Sequence, residues 1–199
     1  MLRVHLLPAI ALAGFAASSF ASTTLYDSSA SFMSNVAPGS YTETFTDFDD
    51  SASGPAAFTG SGFTYTVFAP GDLYASGEFA GTSLPNEALT ITFTSGNVTA
   101  VGGNFYATNI SDAFQPVSIN LGLSDGTSVA FTPASVLDSY RGFASTVAIT
   151  SLVMSAPGIS LYAGIDNLTV GVTAVPEPAS WALMALGVAG LLVARRRSV

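Results

Sequence analysis

The stretch Ser118–Thr132, SINLGLSDGTSVAFT, decides the fold. Ile119, Leu121 and Leu123 alternate with polar or small residues, the period of a strand with one buried face. Asp125-Gly126 then supplies a turn pair, and Val129 and Phe131 resume the alternation. Two such runs joined through Asp-Gly predict a β-hairpin.

The same period extends outward. In ALTITFT, Leu89, Ile91 and Phe93 face one way, while Thr90, Thr92 and Thr94 face the other. FTYTVF (63–68), NFYAT (104–108), VAIT (147–150), SLVMS (151–155), ISLYA (159–163) and DNLTV (166–170) read as further short strands. YTETFTDF (41–48) is another near the start. Gly54-Pro55, Gly102-Gly103 and Pro157-Gly158 punctuate them, and only Ser28–Val36 suits a short helix. About nine strands without a sequence repeat predict an all-β fold, an antiparallel β-sandwich of jelly-roll type.

Composition agrees. Charged residues are 9% and apolar residues 49%, which argues against disorder driven by charge repulsion. Cysteine is absent, which excludes disulfides, thiolate metal sites and cysteine nucleophiles.

The two ends have a different character. MLRVHLLPAIALAGFAASSFA (1–21) pairs Arg3 with an apolar run from Leu6 to Ala17. Ser19 and Ala21 place small residues before a cut at Ser22, so a secretory signal helix is expected over 1–21. At the other end Trp181–Ala194 is uncharged and is followed by Arg195, Arg196 and Arg197. At 1.5 Å per residue this run is about 21 Å long, short of the ~30 Å of a hydrocarbon core. Snorkelling arginines extend its reach, and Trp181 suits an interface. A short C-terminal transmembrane helix is therefore expected, a stop-transfer tail held transiently in the inner membrane with its arginines inside. The resulting division is 1–21 signal, 22–173 passenger and 174–199 tail.

Pro176-Glu177-Pro178 precedes that run. Two prolines fix φ, remove two backbone donors and hold one carboxylate on an extended segment. Val175-Pro176-Glu177-Pro178, an apolar run with Trp181 and a terminal arginine cluster resemble the PEP-CTERM sorting signal of Gram-negative bacteria, a tail also designated the C-terminal domain of an ice-binding protein. The resemblance covers about 25 residues and implies nothing about the passenger. It implies recognition by an exosortase, an integral-membrane cysteine transpeptidase, cleavage near the Pro-Glu-Pro, and a setting rich in exopolysaccharide such as a biofilm.

The passenger carries twelve carboxylates and, as its one basic side chain, Arg141, a balance of −11. Nucleic acid is excluded as a partner because nothing would neutralise its phosphates. No His, Lys or Cys lies between Ser22 and Thr173, which excludes triad, Schiff-base and imidazole–zinc chemistry there. A carboxylate-dependent glycan hydrolase remains as the enzymatic alternative, and no spacing marks two of Glu43, Glu78 and Glu87 as partners.

Hard cations suit the remaining donors, so a structural calcium is the candidate cofactor. Its candidate ligands are Glu43, Asp47 (in the cluster with Asp49 and Asp50) and Asp166. An early Glu43 strand and a late Ile165-Asp166-Asn167 resemble, at the level of pattern, jelly-roll carbohydrate-binding modules, in which first and last strands lie side by side. The competing explanation of Asp166-Asn167 is a β-bulge held by side-chain-to-backbone hydrogen bonds. In GDLYASGEFAG, which reads as a loop, Tyr74 and Phe79 are candidate stacking platforms for a sugar, or else aromatics that close the sandwich end. Arg141 is expected to pair with a carboxylate. Together these readings describe an exported, non-enzymatic component of the cell surface or extracellular matrix, with exopolysaccharide as a candidate partner. Ice binding lacks support, because no Thr-x-Thr array repeats.

Overall fold

The computed structural model describes residues 22–48 and 51–174, together with Gly187. In chain order the strands are β1 (Thr23–Tyr26), β2 (Tyr41–Glu43), β3 (Ala56–Gly60), β4 (Phe63–Phe68), β5 (Leu73–Ala75), β6 (Ala80–Thr82) and β7 (Leu89–Phe93). There follow β8 (Ala100–Thr108), β9 (Phe114–Gln115), β10 (Ile119–Leu123), β11 (Ser128–Phe131), β12 (Tyr140–Ser145), β13 (Ser151–Met154) and β14 (Tyr162–Gly171). They form a β-sandwich of two antiparallel sheets, one of eight strands and one of six. The larger runs β1-β12-β8-β14-β6-β5, with β2 also on β14 and β9 on β8. The smaller runs β11-β10-β13-β7-β4-β3.

From β7 onward the chain changes sheet at most connections, so neighbouring strands are distant in sequence and each sheet depends on the other. Alternation drives this. Tyr65, Val67, Ile91, Leu121 and Leu152 from the smaller sheet meet Val101, Phe105, Phe143, Ile165 and Leu168 from the larger in one core. Each fully buried aliphatic or Phe side chain contributes about 1.5–3 kcal/mol. The Ser118–Thr132 hairpin is present as β10–β11, with Leu121 opposite Val129. Ser124, Asp125 and Gly126 make its loop, closed by the Leu123 N–H on the Thr127 carbonyl at 2.8 Å. Gly126 has φ of 89°, the left-handed conformation that a three-residue hairpin loop places at its end.

A helix α1 (Ser29–Met33) lies on the outer face of the larger sheet. The Ser28 side chain caps it, accepting from the Ser31 N–H at 3.3 Å. Its Phe32 is fully buried with Val36, Ala100 and Tyr140. Gly142 permits this contact, since a β-carbon there would sit 2.6 Å from the Phe32 ring.

Several expectations need correcting. The fold class is wrong in its helices. Among the described residues the helices with defined bounds are α1 and a 3-10 turn (Leu137–Ser139), Gly187 is also helical, and no helix is long and apolar enough to cross a membrane. Five residues give α1 a length of about 7.5 Å, against the ~30 Å of a hydrocarbon core. The stretches that carry the expected signal helix and transmembrane helix, 1–21 and 174–199, lie outside the described residues apart from Ala174 and Gly187. Val147–Thr150 is not a strand, and ISLYA and DNLTV share one strand, the ten-residue β14. GDLYASGEFAG is not a loop but supplies the hairpin β5–β6, in which Tyr74 pairs with Gly81.

The end of the sandwich is tied down. Thr173 donates its N–H to the Thr99 hydroxyl at 2.8 Å and its own hydroxyl to the Thr99 carbonyl at 3.0 Å. Ala174 donates its N–H to the Asn35 carbonyl at 2.8 Å.

Candidate functional site

On β8, Val101, Phe105 and Ala107 enter the core, which leaves Asn104, Tyr106 and Thr108 on the outer face of the larger sheet. Among the described residues, two concavities lie on that face.

The first is a cleft of about 110 Å³ lined by Tyr74, Phe79, Thr82, Thr108, Asp112 and Tyr162, among others. Tyr74 and Phe79, singled out from sequence, come together here with ring centres 5.9 Å apart. Phe79 is 6% exposed and packs edge-on against Tyr106 at 5.7 Å, so it forms the floor of the cleft rather than an open platform. Tyr74 is more open. Its hydroxyl donates to Asp112 Oδ2 at 2.8 Å, and that bond is the chief reason its pKa lies above the ordinary phenol value. The loop bearing Asp112 is held by Asn109, whose Oδ1 accepts from the Ser111 and Ala113 N–H groups.

The second is a cavity of about 410 Å³ beside α1, lined by Ser29, Met33, Thr42, Asn104, Tyr140, Asn167 and Thr169. A β-bulge borders it. Asp166 pairs with Asn104 and Thr169 with Gly102, so β14 contains one extra residue there. Asn167 takes φ of 51°, a conformation Asn tolerates better than most residues. Its N–H donates to Asp166 Oδ1 at 2.6 Å, and its Nδ2 donates to Asp166 Oδ2 and to Asn104 Oδ1. Asn104 in turn donates to the Val136 carbonyl at 2.9 Å. The Thr42 and Thr169 hydroxyls bond each other at 2.8 Å.

The chain beyond this body has a recognisable signature. Residues 174–197 match the family described as the PEP-CTERM protein-sorting motif. No curated protein and no solved structure matches the chain. The sorting motif covers Val175, Pro176, Glu177 and Pro178, Trp181, and Arg195 to Arg197, all of which lie outside the described residues. A motif of this kind implies export and sorting to the cell surface, and it sits directly after an antiparallel β-sandwich. Among the described residues no helix is long and apolar enough to cross a membrane.

The candidate calcium ligands are not gathered. Among the described residues no three of His, Cys, Asp and Glu stand together where they could hold a metal ion. β2 does lie beside the last strand, with Glu43 opposite Leu168. Directly paired residues project to one face, and Leu168 belongs to the core, so Glu43 projects inward. Its oxygens accept from the Tyr41 hydroxyl at 2.6 Å and the Phe45 N–H at 3.0 Å. Asp166 belongs to the other face, where its charge, with those of Glu78 and Asp112, adds to the burial that raises the Tyr106 pKa. Burial also raises Asp166 itself; the Asn167 N–H opposes that and Glu78 adds to it. Asp47 is exposed, and Asp49 and Asp50 lie outside the described residues.

Among the described residues Arg141 has no carboxylate within ion-pair distance, though the charges of Asp138 and Asp27 act on it. It donates to the Asp138 carbonyl at 3.1 Å and stacks 3.7 Å over the Phe131 ring. Sequence reading missed Asp112, Tyr140 and Tyr162. The one available signal was polar: Asn104 and Asn167 interrupt runs that are otherwise apolar or Thr-bearing strand.

Proposed function

We propose that this chain is an exported, non-enzymatic component of the cell surface or extracellular matrix, sorted by an exosortase-type membrane transpeptidase acting at Val175–Pro178. The observation that carries the reading is the match of 174–197 to the sorting motif, with Glu177 bracketed by prolines and three arginines ending the apolar run. On this reading residues 1–21 are the export signal and the sandwich is the cargo delivered. A structural or adhesive role beside exopolysaccharide agrees with a passenger that has twelve carboxylates, one arginine and no histidine, lysine or cysteine.

A second reading, a passenger that itself binds carbohydrate, is favoured by one observation: Tyr74 and Phe79 line a cleft together with Tyr162 and Asp112. A hydrolase gains no such support from its candidate glutamates, since Glu43 projects to the core side of its sheet and Glu87 accepts from the Gly71 N–H at 3.0 Å. Intact-mass measurement of the protein released by its native host tests the sorting step. Loss of Arg195–Arg197 is expected, and Glu177→Gln should block it. A released wild-type protein that still carries all three arginines would overturn the reading.

A further inference from the structure

The cleft and the cavity share a face and two strands. Thr108 and Tyr162 border the cleft, and Asn104, Asn167 and Thr169 border the cavity, in both cases from β8 and β14. Asn104 and Thr108 are four residues apart on β8, about 13 Å at the rise of a strand. The cavity is lined by hydroxyl and amide side chains and Met33, with no charged group.

One of those hydroxyls is unusual. Tyr140 lines the cavity and is 5% exposed, yet its buried Oη has no hydrogen-bond partner. Ser29, which also lines the cavity, acts on it, opposing the rise in pKa that burial causes. A buried polar atom left unpaired costs free energy, and in a folded protein it calls for a reason. Gly102 makes room for it, since a β-carbon there would collide with Tyr140 Oη.

Charge narrows the ligand. A body with a balance of −11, with Asp112 in the cleft and Asp166 between the two concavities, repels anions. Aromatic rings at one end and neutral hydroxyls and amides at the other suit a molecule with apolar ring faces and many hydroxyls.

We propose that the outer face of the larger sheet, from Tyr140 and Asn167 to Tyr74 and Tyr162, binds a neutral polysaccharide chain. The inference rests on the exopolysaccharide-associated reading above and adds the ligand's class and its place. Tyr74, fixed by Asp112, and Tyr162 take ring faces, while Tyr140 Oη and the two asparagines pair with sugar hydroxyls.

The test is a glycan array probed with the full chain, carrying neutral and acidic oligosaccharides, followed by titration of the best neutral binder. Neutral glycans are retained and acidic ones are not. Tyr140→Phe removes only the unpaired hydroxyl and weakens binding by about tenfold, with a melting temperature that is unchanged or higher. Tyr74→Ala weakens binding, and Tyr74→Phe, which keeps the ring but loses the bond to Asp112, weakens it less. Retention of no neutral glycan, tighter retention of acidic ones, or an affinity indifferent to Tyr140→Phe overturns the proposal. Arginine loss without glycan binding would sink this inference alone, and glycan binding by a chain that keeps its arginines would sink only the sorting reading.

Discussion

Glu43 and Asp166 lie on adjoining strands but on opposite faces of the larger sheet: Glu43 pairs with core residue Leu168, while Asp166, two residues earlier, pairs with Asn104 on the outer side. The bulge at Asn167 lies between them and leaves each carboxylate with its own hydrogen-bond partners. A cation cannot be shared through the thickness of a sheet, so chelator is expected to leave the melting curve of the full chain unchanged. A drop of several degrees would show a site that these side chains do not form.

Asp166 also sets a pH dependence. Its carboxyl is raised by burial, so the unfolded chain ionises first as pH rises. Stability from this group is therefore complete below its unfolded value of about 3.9 and declines as pH rises through the folded one. Asp166→Asn keeps an acceptor for the Asn167 N–H and should be more stable than the parent at neutral pH, with the difference vanishing in acid. Thermal unfolding across that range checks it, and a gain that persists in acid would refute it.

Asp125 has the opposite sign. Burial pushes it upward, but the Thr23 hydroxyl, the Thr127 N–H and hydroxyl, and its own N–H outweigh that and hold it below the usual range. Its contribution is present above the unfolded value and is lost as pH falls through the folded one. The Thr23 bond ties β1 to the turn of the β10–β11 hairpin. Thr23→Val should cost about 1 kcal/mol at neutral pH by urea denaturation and less in acid.

The seat of α1 is tight. Gly142→Ala places a carbon against the buried Phe32 ring and should destabilise by about 1–3 kcal/mol. Phe32→Ala empties the same seat and should cost about 3–5 kcal/mol. If Gly142→Ala costs nothing, α1 is not packed as described.

At alkaline pH the tyrosines govern. The hydrogen bond to Glu43, with burial and the charges of Glu43 and Asp47, pushes Tyr41 up to about 12, and burial raises Tyr65, Tyr106 and Tyr140. Unfolded phenols ionise near pH 10, so stability should fall from about that point upward. Spectrophotometric titration should show Tyr41 among the late groups and lose one such group in Tyr41→Phe.

The strands with strict alternation could be read from sequence, because one buried face imposes a period of two: β4, β7, β10 and β11 are found where that period stands. The strands that failed to show it have physical reasons. All nine residues of β8 are buried, one face by the core and the other by α1 and the aromatic cluster, so its pattern loses contrast. β6 reads Ala-Gly-Thr, whose small side chains make room for Phe79 rather than supply a hydrophobic signal. Of the site, Tyr74, Phe79 and the bulge at Asp166-Asn167 were within reach. Tyr140 and Asp112 were not, because their significance lies in which distant strand or loop faces them.

The knot of bonds at Thr173 and Ala174 has a bearing on whatever reads the next four residues. The hydrogen-bonded body persists to Ala174, so on the sorting reading proposed above a protease groove that engages several residues ahead of Pro176 would meet the Thr99 and Asn35 edge. Either that groove is shallow on its upstream side, or the last two rungs come undone first, and the folded cargo thereby gains a say in how fast it is released.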